Sequence, residues 1–246
     1  MWEFCVEASK KNAHIIDYIS QRLENVISSV DGVKSYITFG NSSSVAVGCP
    51  KKHYQKLEGA LRVIICDAIC EKMKFDYLKN HIVLSVSDEK LFDAFIKVYT
   101  YFDSEIERKI VLRSLFFKNK IVLESFLSFR LQPLKKKWEE MCNLTNTNSN
   151  LFLQSETFIE LLKFLISNLD CKMNTVVLDL SSNIVLYEER GNALVALLNF
   201  QANDDIGIIT QIIELCPRKI KIISGNNNEV VSLIGELFEN RVEIIK

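Results

Sequence analysis

The sequence predicts an α+β protein, and three observations lead to this class. Apolar residues recur at helical spacing through the middle of the 246-residue chain. Short runs rich in β-branched residues, bounded by turn residues, lie near both ends. The composition is that of a globular protein, with 48% hydrophobic and 25% charged residues but only 8 glycines and 3 prolines. We expect an N-terminal β-α-β-β-α unit over residues 1–86, a helical region over 87–170 and a C-terminal α/β unit over 171–246; the last two can pack as one domain.

The N-terminal unit is predicted from alternating strand and helix patterns. Residues 2–8 alternate between apolar and polar side chains and predict a strand. The helix that follows stops at Asp31-Gly32, and runs at 33–39 and 44–48 predict a hairpin around a turn. Pro50 opens a second helix. The apolar stripes of the two helices are Ile15, Ile16, Ile19, Leu23, Val26, Ile27 and Val30, and Leu57, Leu61, Ile64, Ile65, Ala68 and Ile69.

The helical region contains the most distinctive pattern of the chain. Residues 87–143 have helical spacing, after an ambiguous segment at 81–86. Five apolar residues, called the apolar seam below, fall on one helix face: Leu127, Leu131, Leu134, Trp138 and Met141. Pro133 lies within this seam and has no backbone N–H to donate. It should therefore kink the helix or divide it in two.

The C-terminal unit is predicted to combine a hairpin with a strand–helix–strand element. The polar run NLTNTNSN at 143–150 predicts a domain boundary or a surface loop, and Ser155 can cap the next helix. Runs at 175–180 and 184–188 predict a hairpin, and helices are expected at 192–200 and 206–215. A strand at 219–224, a helix at 229–239 and a strand at 242–245 complete the unit. Such a short crossover implies parallel pairing of these two strands.

Five segments of the second half of the chain follow one another in a distinctive order. They are FLSFRL at 126–131, the helix at 156–168, the hairpin at 175–188 with Leu186-Tyr187, CPRKIKII at 216–223 and LFENRV at 237–242. In the order and spacing of these segments, over roughly residues 120–246, the chain resembles the YtxC-like family of sporulation-associated proteins of endospore-forming bacteria. The resemblance implies a role in sporulation. It supplies no mechanism, because the family has no established biochemical activity.

Arg130 and Phe129 are the candidate binding residues. Arg130 stands between Phe129 and Leu131, beside the apolar seam. A guanidinium held near aromatic rings can bind a phosphate or a carboxylate of a partner. The alternative is a structural ion pair with a helix carboxylate. The middle of the chain is also rich in phenylalanine, which predicts either core packing or a partly exposed partner surface: Phe92, Phe95, Phe102, Phe116, Phe117, Phe126 and Phe129.

The sequence contains no pattern that predicts catalytic residues, a metal site or a cofactor. Cys66 and Cys70 lie four residues apart with His53 upstream, but no second ligand pair has zinc spacing, so we interpret the two cysteines as core residues. Residues 225–228 precede a helix but lack the lysine and further glycines of a phosphate-binding loop. We find no nucleophile elbow and no zinc-protease motif. This favours a binding protein over an enzyme and leaves the enzyme question open.

Charge and targeting signals limit the partners. The formal net charge is −1, and Glu139 and Glu140 offset the basic residues of the stretch that contains Lys118, Lys120 and Lys135–Lys137. We therefore keep nucleic-acid binding through the Lys118–Lys137 face only as a third option, weaker than the two function hypotheses that follow. With no signal peptide and no apolar run of membrane-spanning length, we expect a cytoplasmic protein with reduced thiols.

Two function hypotheses follow from these observations. The first is a sporulation-associated protein that binds an unidentified protein partner, and a homo-oligomer is also compatible with the sequence. The alternative is a small-molecule or nucleotide-binding protein, or an enzyme, whose site lies at the C-terminal ends of the parallel strands near Gly225.

Overall fold

The structure is a computed structural model, and it describes residues 1–84, 89–152, 155–180, 185–188, 205–223 and 228–245. Helices and mixed β-sheets confirm the predicted α+β class. The chain forms two compact units. Unit 1 comprises Met1–His81 and Asp103–Leu144, and unit 2 comprises Ile82–Phe102 and Thr145–Lys246. The helical region predicted at 87–170 is thus divided between the two units.

The strands and helices of the described residues are numbered in chain order. The strands are β1 (Trp2–Ser9), β2 (Lys34–Thr38), β3 (Ser42–Cys49), β4 (Lys120–Val122), β5 (Met173–Asp179), β6 (Val185–Glu188), β7 (Pro217–Ile223) and β8 (Val242–Ile245). The α-helices are α1 (Ala13–Ile27), α2 (Tyr54–Asp67), α3 (Lys74–His81), α4 (Glu89–Tyr101), α5 (Ser104–Ser114), α6 (Leu123–Arg130), α7 (Gln132–Thr147), α8 (Ser155–Ser167), α9 (Asp205–Leu215) and α10 (Asn228–Phe238).

The sheet of unit 1 has the strand order β2-β3-β1-β4. Strand β3 pairs antiparallel with both β1 and β2, which confirms the predicted hairpin. Strand β4 pairs parallel with β1 and forms one edge of the sheet. Alternate residues of β1, namely Phe4, Val6 and Ala8, are buried in the core of unit 1. The period of two follows from the pleat, which sends successive side chains to opposite faces.

Helices α1 and α2 contribute their predicted apolar stripes to the same core. Ile15, Ile19, Leu57 and Leu61 are all buried there. Beyond α1 the chain turns at Gly32, whose φ of 73° lies in the left-handed region that glycine adopts without strain. Helix α2 continues through a π-helical segment, Ala68–Met73, into α3.

Pro133 divides the apolar seam between two helices, as predicted. Helix α6 ends at Arg130 and α7 begins at Gln132, so Pro133 lies in the first turn of α7, where its missing N–H leaves no helical hydrogen bond unmade. Four of the five seam residues are buried in the core of unit 1: Leu127, Leu131, Leu134 and Trp138. Met141 is partly buried against them.

Two local predictions were wrong. The helical region contains the short strand β4, and its partner β1 lies more than 110 residues earlier in the sequence, so local spacing could not reveal the pairing. The polar run at 143–150 was expected to be a boundary or a surface loop. The division between the two units does fall within it, after Leu144, but the loop was wrong, because α7 continues through Thr147 and a 3₁₀ turn follows at Ser149–Phe152. Thr145 is buried, which favours the helix despite the polar sequence.

The sheet of unit 2 has the strand order β6-β5-β7-β8. Strands β5 and β6 pair antiparallel and confirm the second hairpin, whereas β7 and β8 pair parallel as the short crossover implied. Strand β7 also pairs parallel with β5. The helix predicted at 192–200 and the turn at 181–183 lie outside the described residues. None of the helices in the described part of the chain is both long and apolar enough to cross a bilayer.

Candidate functional site

A shallow groove of about 630 Å³ lies in unit 1 beside the edge strand β4. The end of α5, the connection that follows it, β4 itself and α6 provide its walls. Phe129 and Arg130, the two residues singled out from the sequence, both line it. The structure therefore brings the predicted binding pair to a concave surface.

Aromatic rings form the apolar part of the groove. Phe129 on α6 is 76% exposed and Phe116, after α5, is 65% exposed, although both are large apolar residues. Phe126 lines the same groove and is partly buried against the core of unit 1. An apolar patch in a concave, cation-rimmed surface is typical of a binding site.

Arg130 and Lys118 give the groove its positive charge. Both side chains are exposed, and within the described residues neither makes a hydrogen bond or an ion pair. Lys120 also lines the groove, but Glu7 holds its ammonium group in an ion pair. Among the described residues that line the groove, none is acidic. No carboxylate among the described residues forms with Arg130 the structural ion pair that was the alternative interpretation.

Glu124 fixes α6 to the rest of unit 1. Its Oε1 accepts hydrogen bonds from the backbone N–H of Ser9, at 2.8 Å, and from Nδ2 of Asn12, at 2.7 Å. Burial alone raises the pKa of the Glu124 carboxyl, but the hydrogen bonds from Ser9 and Asn12 outweigh it and lower that pKa overall. The carboxylate thus ties the first turn of α6 to the end of β1 and orients the helix that carries Phe129 and Arg130.

The basic residues at the start of α7 do not form an open cationic surface. Lys135 and Lys136 each lie within ion-pair distance of a glutamate four residues later, at 3.8 and 3.9 Å. Lys137 Nζ lies 3.1 Å from Asp103 and 3.5 Å from Glu107. Since these charges are offset within the protein, the cations of the Lys118–Lys137 stretch that have no partner among the described residues are Lys118 and Arg130, and both line the groove.

The cysteines and histidines that were weighed from the sequence do not assemble a metal centre in the described residues. Cys66 and Cys70 are buried, and the described chain brings no group of three potential ligands together. A hydrogen bond from Cys70 lowers the pKa of the Cys66 thiol, and the same contact raises that of Cys70. His14 pairs with Asp76 at 2.7 Å on the surface.

Sequence reasoning did not combine Phe116 and Lys118 with the Arg130 site. Phe116 had been noted only as part of a phenylalanine-rich region, and Lys118 only as part of a basic stretch. The chain reversal between α5 and β4 brings both residues next to α6. The alternative ligand site near Gly225 lies outside the described residues.

The fold and the groove together define an α+β protein of two sheet-containing units, one of which carries a cationic, phenylalanine-lined groove. The family model described as the YtxC-like family matches residues 71–243, which is most of the chain. The chain belongs to the YtxC-like family. The match begins well before the resemblance noted at 120–246 and includes every residue of the groove. Neither the curated proteins nor the solved structures contain a significant match.

Proposed function

We propose that this protein is a non-enzymatic, cytosolic component of sporulation that binds an acidic segment of another protein in the groove of unit 1. The YtxC-like family supports the setting, because its name is associated with sporulation. The proposed binding activity rests on the groove itself. The single observation that carries it is the exposure of Phe129 and Phe116 beside the unpaired guanidinium of Arg130.

Large exposed aromatic rings next to an arginine are typical of residues that dominate binding free energy. Aromatic and arginine side chains are enriched among such hot spots, and a hot spot commonly contributes at least about 2 kcal/mol. Phe129 and Phe116 offer apolar surface that a partner side chain can cover. Arg130 can form two parallel hydrogen bonds with one carboxylate.

The charge of the groove supports an acidic partner segment. Its two unpaired cations, Arg130 and Lys118, have no acidic neighbour among the described lining residues. Complementary charge increases the association rate and excludes basic segments. A nucleic-acid partner fits less well, because the affinity for phosphates depends on several free cations and Lys135–Lys137 are ion-paired.

The test is affinity capture from sporulating cells with three forms of the protein. The groove variant combines Phe129→Ala with Arg130→Glu. The matched control is Phe164→Ala, which removes another exposed phenylalanine, 62% against 76% for Phe129, from α8 of unit 2. A specific partner should be retained by the wild type and the control, and the groove variant should bind it at least about thirtyfold more weakly.

Dissociation constants measured with the captured partner at several salt concentrations then show how much of the affinity depends on charge. Binding should weaken as salt is added, because charge complementarity is screened. The proposal fails if the groove variant binds as well as the wild type. It also fails if the captured species is nucleic acid or a second copy of the chain.

A further inference from the structure

Strand β4 is an edge strand whose outer side faces the groove of unit 1. It is the last strand in the order β2-β3-β1-β4, and among the described strands it pairs with β1 alone. All of its residues, Lys120 to Val122, line the groove. The groove therefore runs along a row of backbone groups that no other described strand covers.

The register of β4 shows which backbone groups point to this free side. The backbone N–H of Cys5 donates to the carbonyl of Asn119 at 3.1 Å, and Cys5 is the register partner of Lys120. In a parallel pair, this hydrogen bond means that Asn119 and Ile121 direct their backbone groups to β1. Because these groups alternate along a strand, the N–H and C=O of Lys120 and the N–H of Val122 point away from β1. Within the described residues, no hydrogen bond of a turn, loop or cap involves them.

The residues around the free edge suit one kind of segment. Phe126 and Phe129 lie on α6, which begins directly after β4, and Phe116 precedes the strand in the chain. Their rings offer apolar surface beside the edge. Arg130 and Lys118 add positive charge, and none of the described lining residues is acidic. When a segment adds to a sheet edge, backbone pairing supplies affinity and the flanking side chains supply specificity.

We propose that the acidic partner segment binds as an added β-strand that pairs with the outer side of β4. This inference rests on the proposed function and specifies the conformation and the residue pattern of the segment. The backbone of the added strand hydrogen-bonds with Lys120 and Val122. Successive side chains of a strand point to opposite faces. A segment that alternates apolar and acidic residues therefore offers an apolar row for the phenylalanine rings and carboxylates for Arg130 and Lys118.

The test uses the whole protein and a synthetic octapeptide that alternates valine and glutamate, with acetylated and amidated ends. Binding at millimolar concentration is followed by amide hydrogen exchange measured by NMR. We expect exchange to slow most at Lys120 and Val122, because the amide of Ile121 already faces β1. A peptide with lysine in place of glutamate should not bind. Failure of the glutamate peptide to bind, or equal slowing at all three amides, would overturn the proposal.

Methylated forms of the peptide test the backbone hydrogen bonds without changing the protein. One form carries N-methyl groups on its central valines, and the other carries them on its central glutamates. In a paired strand only alternate N–H groups face the neighbouring strand. One form should therefore bind at least about tenfold more weakly, and the other should bind like the unmodified peptide. Equal affinities of the two forms would show that the peptide does not pair as a strand.

A proline substitution tests the same hydrogen bonds from the side of the protein. Val122 has an extended backbone, and Val122→Pro removes its N–H from the free edge, where proline is tolerated because this N–H makes no bond to β1. The matched control is Val122→Ala, which keeps the N–H. Only the proline variant should bind the peptide about tenfold more weakly. Equal binding by the two folded variants would contradict the proposal, and if the proline variant does not fold, the methylated peptides decide.

The groove variant separates this inference from the proposed function. Suppose that Phe129→Ala combined with Arg130→Glu loses the captured partner, but the two methylated peptides bind equally well. The groove then binds its partner without an added strand, and only the present inference fails. If the groove variant retains the captured partner as well as the wild type does, the proposed function itself fails.

Discussion

Each unit of the protein contains a buried lysine–glutamate pair between two helices, and the two pairs differ in how completely they are shielded from water. In unit 1, Lys74 of α3 lies 2.9 Å from Glu107 of α5, and both side chains are 0% exposed. In unit 2, Lys97 of α4 lies 2.6 Å from Glu214 of α9, with 8% and 9% exposure. Both pairs join a lysine to a glutamate. A difference in how much each pair contributes to the free energy of unfolding therefore reports the effect of burial and of the neighbouring residues.

The surroundings strengthen this contrast. The second oxygen of Glu107 lies 3.5 Å from Lys137, so one carboxylate serves two ammonium groups. Burial lowers the pKa of Lys74 more than the attraction of Glu107 raises it, which shows how costly this charge is to bury. Lys97 also lies 5.4 Å from the ring centre of Tyr101. That ring can still stabilise the cation when the carboxylate is removed.

The largest effect is expected for Glu107→Ala in unit 1. The change leaves Lys74 as an uncompensated buried charge, so the free energy of unfolding should fall by about 3–5 kcal/mol. Tryptophan fluorescence during denaturant unfolding measures it cleanly, because both tryptophans of the chain, Trp2 and Trp138, belong to unit 1. Glu105→Ala on the same helix is the control, since Glu105 is exposed and should change the free energy by less than about 0.5 kcal/mol. Equal effects of the two variants would show that burial does not govern this pair.

A smaller loss is expected for Glu214→Ala in unit 2. Water that still reaches Lys97 and the nearby Tyr101 ring can stabilise the ammonium group after the carboxylate is removed. We therefore expect the free energy of unfolding to fall by about 2–3 kcal/mol. Circular dichroism follows this unfolding, because unit 2 has no tryptophan. The matched control is Glu243→Ala, which breaks an exposed pair with Lys219 at 2.7 Å. If Glu214→Ala lowered the free energy of unfolding as much as Glu107→Ala, the difference in burial between the two pairs would not determine their contribution to stability.

Glu124→Gln tests a partly buried carboxylate of unit 1. Glutamine keeps the oxygen that accepts from Ser9 and Asn12 but loses its charge, so the free energy of unfolding should fall by about 1 kcal/mol near neutral pH. The lowered pKa of Glu124 means that this contribution is present above about pH 4.5 and is lost as the pH falls through the folded-state value. Unfolding followed by tryptophan fluorescence should be measured at neutral pH and in acid below the folded-state pKa. The free energies of unfolding of the variant and the wild type should converge in acid. Glu140→Gln, on an exposed face of α7, should show no such convergence.

The sequence predicted those parts of the fold whose signal is local. The hairpin of β2 and β3, the division of the apolar seam at Pro133 and the parallel pair β7–β8 all depend on residues close together in the chain. Strand β4 depends instead on β1, so a three-residue run of Lys, Ile and Val carried no readable strand signal among helices. The polar run at 143–150 was misjudged because burial of Thr145 depends on tertiary packing, not on composition.

The candidate site was predictable in part for the same reason. Phe129 and Arg130 are adjacent in sequence and lie together at the end of α6, so their pattern was visible. Phe116 and Lys118 approach them only because β4 returns the chain to the edge of the sheet. The buried lysine–glutamate pairs were not predictable from the sequence, since Lys97 and Glu214, for example, lie far apart along the chain and meet only in the fold.

The smallest effect is expected at the exposed end of this series, where His14 pairs with Asp76 at 2.7 Å on the surface of unit 1. The hydrogen bond and negative charge of Asp76 raise the pKa of His14 above its ordinary value. The pair therefore stabilises the protein fully below about pH 6.5, and this contribution is lost as the pH rises through the higher folded-state pKa. Against His14→Gln, the wild type should lose less than about 1 kcal/mol across that range, because an exposed pair is screened by water. Asp76→Asn should abolish the same pH dependence in unfolding followed by tryptophan fluorescence. A pH dependence that survives in Asp76→Asn would mean that His14 responds to a different charge. Asp76 would then not belong with Glu107, Glu214 and Glu124 in a series ordered by burial.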